Sequence, residues 1–216
     1  MNRTADTRIS EYLHSLEPKS DEMLSAMRLY AAEHDVPIIR IETESFIRTL
    51  LKALKPDRIL EIGAAIGYSS ISMAEACDAD IITIENYDRR IPVARENIAA
   101  AGMDKRIRLV EGDAGEVLKH LADAKESFDL IFLDAAKGQY PVWLPDILKL
   151  MHEGSVLLAD NVLQDGTVTE SRFAIPRRER TTHERMREFL YVIKHDERLE
   201  SSVLNIGDGV SMSVML

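Results

Sequence analysis

A single cysteine, Cys77, leaves this chain without an internal disulfide and without the paired thiolates of a zinc knuckle. Its six histidines are scattered singly, so they do not suggest a zinc centre either. No run approaches the ~18 to 20 apolar residues of a membrane span. The opening M-N-R-T-A-D-T-R is polar with no apolar segment behind it, so no secretory leader is expected and the cytoplasm is the expected compartment. Basic charge is short as well: 27 Lys and Arg against 37 Asp and Glu give a net charge of −10. That excludes a broad cationic footprint for wrapping nucleic acid, and neither DNA nor a membrane surface is an expected partner. A local basic patch can still dock phosphates.

With 45% hydrophobic and 30% charged residues over 216 positions, the chain supports one sizeable core and reads as one domain, 1–216. Its most informative stretch is R-I-L-E-I-G-A-A-I-G-Y-S, residues 58–69. A buried strand from Ile59 to Ile62 runs into a glycine turn at Gly63, and a helix opens near Tyr68. In a doubly wound sheet such a strand end faces a crevice, where glycine lets the backbone approach a ligand and a helix N-terminus offers unpaired N–H groups. A dinucleotide fingerprint needs G-x-G-x-x-G. Here Ala65 stands at the middle glycine, so pyrophosphate is a poor guest and a nicotinamide-dependent oxidoreductase is disfavoured. Glu61, two residues before the first glycine, suits a cationic group instead.

Residues 5–35 predict two helices broken near Pro18, with Ile9, Tyr12, Leu13 and Leu16 on one face and Met23, Met27 and Tyr30 on another. The methionines suit a core or a subunit interface. Residues 36–41 are extended after Pro37, and Thr43 can cap a helix that buries Phe46, Ile47, Leu50, Leu51 and Leu54. Beyond Gly67 strand and helix alternate, the pattern of a parallel sheet. The second strand, 81–85, ends in Glu85, 22 residues after Gly63, where an acid can accept both ribose hydroxyls of an adenosine; the plainer reading is a solvated strand end. Asp88 can cap the next helix, which turns Ile91, Ala94, Ile98 and Ala101 inward. The third strand, I-R-L-V, leads to Asp113 and Ala114, candidates for reading an adenine edge.

The fourth strand, in F-D-L-I-F-L-D-A-A-K-G-Q-Y, delivers Asp134 to the crevice with Lys137 and Tyr140 close behind. The fifth, S-V-L-L-A-D-N, delivers Asp160 and Asn161 to the neighbouring strand end. Charges so placed need a partner. Each residue alone is an ordinary turn former, but two carboxylates and an amide together suit a hard cation such as magnesium. From Gln164 to Thr182 the alternation gives way to a polar insertion, and Arg172, Arg177, Arg178, Arg180, Arg185 and Arg187 crowd around it with Phe173 between them. An arginine-rich loop is most often a solvated surface; on an acidic chain beside a site it is also where phosphates would dock. Thr181 and Glu184 fit a capping box for a helix that buries Met186, Phe189, Leu190 and Ile193. The G-D-G turn at 207–209 and the alternation after it predict a terminal β-hairpin.

Taken together, L-E-I-G-A-A-I-G-Y-S, I-F-L-D-A-A-K and L-A-D-N-V resemble the divalent-cation-dependent O-methyltransferases related to catechol and caffeoyl-coenzyme A O-methyltransferases, from about residue 36 to the final hairpin. The resemblance implies an α/β, Rossmann-like class I methyltransferase fold: a seven-stranded, mostly parallel sheet with a C-terminal antiparallel hairpin and an N-terminal helical extension, 1–41. S-adenosylmethionine is then the cofactor, with Glu61, Gly63 and Ser69 on its methionine portion, Glu85 on its ribose and Asp113 and Ala114 at its adenine. Asp134 also counts among the cofactor-binding positions, and Ile39 and Ile41 touch the cofactor from the N-terminal side. Asp134, Asp160 and Asn161 match the ligands of magnesium (or manganese), Lys137 matches the general base, and Asp208 matches a turn near the substrate mouth. A homodimer is common in the family. Within it the chain resembles the bacterial branch that methylates 5-hydroxyuridine at the wobble position of transfer RNA, on the strength of S-R-F-A-I-P-R-R-E-R-T-T-H-E-R. On that reading Arg172, Arg177, Arg178 and Arg180 contact the anticodon loop. The alternatives are an O-methyltransferase of small catechol-like molecules and a non-catalytic nucleotide- or RNA-binding module.

Overall fold

The computed structural model describes residues 3–18 and 21–216. Helices α1 (Arg3–Leu16), α2 (Glu22–Glu33) and α3 (Ile41–Leu54) precede the alternating part. That part runs β1 (Arg58–Ile62), α4 (Tyr68–Ala76), β2 (Asp80–Glu85), α5 (Ile91–Ala100), β3 (Ile107–Glu111), α6 (Ala114–Asp123), β4 (Phe128–Leu133), α7 (Tyr140–Lys149), β5 (Met151–Ala159), α8 (Arg180–His195), β6 (Leu199–Leu204) and β7 (Val210–Met215). Short 3-10 turns cover Lys137–Gln139 and Gln164–Thr169.

The seven strands form one sheet in the order β3-β2-β1-β4-β5-β7-β6, parallel as far as β5 and antiparallel in the last pairings. Strand residues alternate between its two covered faces. Ile59, Leu130, Phe132 and Leu158 pack toward the apolar cluster that includes α2, α3 and α4, while Leu60, Ile62, Ile131 and Leu157 pack toward the one that includes α6, α7 and α8. The chain order reverses between β1 and β4. The carboxyl ends of those two strands therefore flank the crevice where a sheet of this kind takes its ligand.

The expected seven-stranded mixed sheet is present, but three helix starts differ from expectation. Helix α3 begins at Ile41 with Arg40 as its cap, so Thr43 lies inside the helix and is fully buried. Helix α5 is capped by Arg90, with a proline in its first turn, and Asp88 stays exposed in the preceding turn. Helix α8 begins at Arg180 without a side-chain cap; Glu179 is already helical and Glu184 pairs with Arg172, so the capping box does not form. Tertiary packing claims Thr43, and an ion pair with Arg172 claims Glu184.

The N-terminal helices divide in an unexpected way. Met27 is buried in this chain's own core beside Leu24 and Ala31, with Met23 partly buried against it, so the methionines do not form an open interface. The apolar stripe of α1 is what faces solvent: Ile9, Tyr12, Leu13 and Leu16 are 46% to 63% exposed. Among the described residues no helix is long and apolar enough to cross a membrane.

Candidate active site

The end of β1 is pressed against the end of β4. Gly63 has φ +109°, and a Cβ there would stand 2.1 Å from the Asp134 carbonyl oxygen, so no other residue fits without moving a strand. Ala65 adopts φ +47°, and its N–H donates to Glu85 Oε2 at 2.8 Å. This amide, which a dinucleotide-binding loop would turn to a phosphate, is spent on a carboxylate. The other Glu85 oxygen accepts from the N–H groups of Asn86 (2.9 Å) and Tyr87 (2.8 Å), so three amides fix the acid at the rim of the turn.

Beneath the turn Glu61 is fully buried. Ser70 Oγ and Thr83 Oγ1 donate to its Oε2, and Oε1 has no partner. Burial, with the Asp134 charge adding to it, raises the Glu61 carboxyl to about 7 against the pull of the surrounding hydroxyls. An orphaned carboxylate oxygen in this position would be satisfied by a cationic ammonium group.

A cavity of about 970 Å³ opens above these strand ends. Ile39, Gly63, Ser69, Glu85, Asp113, Ala114, Asp134, Lys137 and Asn161 line it, which brings most of the expected residues onto one surface. Glu61 lies one layer below, and Asp160 is buried behind Asn161. Ile41 faces a second cavity of about 810 Å³ together with Asp208, and Arg40 lines both. Asp113 is already engaged as the cap of α6, its Oδ1 accepting from Gly115 N–H (2.9 Å) and Glu116 N–H (3.2 Å). Sequence reasoning missed Tyr87, Arg90 and Trp143 on the wall. The indole nitrogen of Trp143 stands 3.1 Å from where a Cβ of Gly115 would be, so an apolar plate edges the expected adenine side. Its being the lone tryptophan was the only signal available.

The acidic corner lies at the ends of β4 and β5. Lys137 Nζ donates to Asp134 Oδ1 at 2.7 Å and to the Tyr140 hydroxyl at 3.2 Å. Burial alone would lower the Lys137 pKa, but the Tyr140 and Asp134 oxygens facing it outweigh burial and raise it. Tyr140 is fully buried, and its hydroxyl lies within hydrogen-bond reach of the Leu133 carbonyl (3.0 Å) and the Asp160 carbonyl (3.3 Å), bracing both strand ends. Asp160 Oδ1 accepts from Asn161 N–H at 2.8 Å and lies 3.5 Å from the Thr43 hydroxyl, while its Oδ2 is buried without a partner. Burial and the facing Asp134 charge raise Asp160 to about 6. Among the described residues no three His, Cys, Asp or Glu cluster as a metal site. The expected set has two carboxylates and an amide, and the orphaned Asp160 oxygen beside a second carboxylate fits a hard cation.

The arginine segment folds back on this corner. Arg185 Nη1 donates to the Gly138 carbonyl at 2.9 Å, and Thr182 packs on Gly138, so α8 backs the turn that carries Lys137. Arg187 holds Val168 O (2.7 Å), and Arg180 Nε holds Ile175 O (2.9 Å), which makes Arg180 a loop brace more than an open phosphate ligand. Arg172 pairs with Glu184 and Arg178 with Glu179, while Arg177 has no ion-pair partner among the described residues.

A sheet of this order, with an acid at the end of β2 and a spent middle amide in the glycine turn, defines a cavity for an adenosine-bearing cofactor that lacks pyrophosphate. A family model described as O-methyltransferase matches residues 13–216. A catechol O-methyltransferase of Niastella koreensis is 31% identical over 181 residues, 82% of each chain. An O-methyltransferase from Bacillus cereus, solved with S-adenosylhomocysteine, superposes with a TM-score of 0.85 at 26% identity over 97% of both chains. The O-methyltransferase TomG of Streptomyces achromogenes, solved with S-adenosylmethionine, gives 0.83 at 28% identity over 96% of both. The chain belongs to the O-methyltransferase family and is an S-adenosylmethionine-dependent enzyme of the catechol and caffeoyl-coenzyme A type.

Proposed function

We propose that the enzyme methylates the 5-hydroxyl of 5-hydroxyuridine at the wobble position of transfer RNA, giving 5-methoxyuridine. The observation that carries the reading is the seating of α8, the helix at the end of the arginine segment, on the turn that holds Lys137. That seating supports the reading because exposed Arg177 and Arg178 lie on the loop that leads into α8. In 5-hydroxyuridine the hydroxyl and the neighbouring 4-carbonyl offer two adjacent oxygens, the arrangement a catechol also has.

Asp134, Asp160 and Asn161 would hold magnesium or manganese. Such a cation would supply positive charge that favours the acceptor's oxyanion. Lys137, on the cavity wall 2.7 Å from Asp134 Oδ1, would take the hydroxyl proton as a neutral amine. Glu61, Ser69 and Glu85 would hold the cofactor, which would supply the methyl group from its sulfonium. The new C–O bond forms as the S–C bond breaks, leaving S-adenosylhomocysteine, and positioning supplies most of the catalysis. The exposed stripe of α1 supports a homodimer that covers it.

A small catechol-like acceptor is the second reading. It is favoured by the number of arginines already spent within the protein: Arg180, Arg185 and Arg187 on carbonyls, Arg172 and Arg178 on carboxylates. Labelled S-adenosylmethionine, offered with magnesium or with chelator to hydroxylated transfer RNA and to catechol, separates the two. Magnesium-dependent label in the RNA is expected. Label in the catechol alone would return residues 172–187 to a structural loop.

A further inference from the structure

Phe173 is 85% exposed, the most exposed large apolar side chain among the described residues. Lone apolar groups on a surface are ordinary, but this one stands on a built platform. Ala174 N–H donates to Ser171 O (2.8 Å) and Glu179 N–H to Pro176 O (2.9 Å), and Ile175, two residues from Phe173, is buried. Arg180 reaches back to hold Ile175 O and, at 3.5 Å, Phe173 O itself. On the other flank Arg172 is tied to Glu184 at 2.7 Å. The loop is pinned from both sides while its aromatic ring is left in water. Exposed Arg177 and Arg178 lie on the same loop, and the chain then enters α8, which seats on Gly138 next to Lys137.

Resting on the transfer RNA reading, we propose that Phe173 is a stacking platform for an unpaired base flanking the target nucleotide, with Arg177 and Arg178 on the phosphates beside it. An aromatic face interleaved with cations matches single-stranded RNA, whose bases offer π faces and whose backbone offers negative charge. A base that must leave its stack to reach the cavity gives up a stacking partner, and Phe173 replaces one for its neighbour. A catechol has neither a second ring to stack nor a phosphate to hold.

The test uses the full-length enzyme and transfer RNA carrying 5-hydroxyuridine, with wild type, Phe173→Ala and Phe173→Trp. Phe173→Ala is expected to raise KM for the RNA by about tenfold or more, the size of one lost base stack, with little change in kcat. Phe173→Trp is expected to restore KM and to show tryptophan quenching on RNA binding beyond that of wild type. Wild-type methylation of the RNA with an unchanged KM in Phe173→Ala would overturn the stacking role and leave the substrate reading intact. Failure of wild type to methylate the RNA would overturn both. A change of oligomeric state in Phe173→Ala at unchanged RNA affinity would assign the ring to a second copy of the chain and overturn the proposal.

Discussion

The ends of β1 and β4 and the loop between β5 and α8 are built on different physics. The strand ends are buried and pressed together: Gly63 admits no Cβ, and Tyr140 braces two carbonyls. The loop is a largely exposed surface pinned at a few points by Arg180 and Arg187. Shared cofactor chemistry asks for the first kind of construction, in which sub-ångström placement sets the rate. Acceptor choice suits the second, where a side chain can change without disturbing the core.

The largest break in that comparison is expected from Gly63→Ala. With a Cβ 2.1 Å from a carbonyl at φ +109°, the substitution should cost at least about 3 kcal/mol and abolish cofactor binding, read by denaturation and calorimetry. Asp160→Asn removes the buried charge while keeping the shape, and should lower magnesium-dependent methyl transfer on the order of 100-fold with cofactor affinity largely kept. Tyr140→Phe strips the hydroxyl from the Lys137 ammonium and from two carbonyls. A stability loss of about 1–3 kcal/mol is expected in urea.

The ligand-free protein should also lose stability as pH rises from near the ordinary Glu61 value of 4.5 through about 7. The folded state holds the proton more tightly than the unfolded chain, so the contribution is complete at low pH and disappears as the buried carboxyl is forced to ionise. Glu61→Gln should flatten that slope in urea titrations at pH 5 and 8. The smallest effect on folding belongs to the loop. Arg178→Ala should change stability by less than about 0.5 kcal/mol, and reduce the salt dependence of RNA binding by about one charge.

The same contrast explains what could be read from the residues. Apolar runs ending in Glu85, Asp134 and Asp160 revealed the strands and the acidic crevice, because burial on both faces leaves little freedom for such runs. Caps were less legible. Thr43, Asp88 and Thr181 have the right side chains for capping, but Thr43 is drawn under Asp160 and Glu184 is taken by Arg172. The 2.7 Å contact between Lys137 and Asp134 was hidden too, since the two residues between them do not reveal it. Trp143 reaches the cavity only because α7 packs beside α6.

Calorimetric titration of magnesium into cofactor-loaded enzyme tests most directly whether the ends of β4 and β5 form a cation site. One ion per chain is expected, bound by wild type and lost in Asp160→Asn. Absence of binding in wild type, or equal binding in Asp160→Asn, would contradict it.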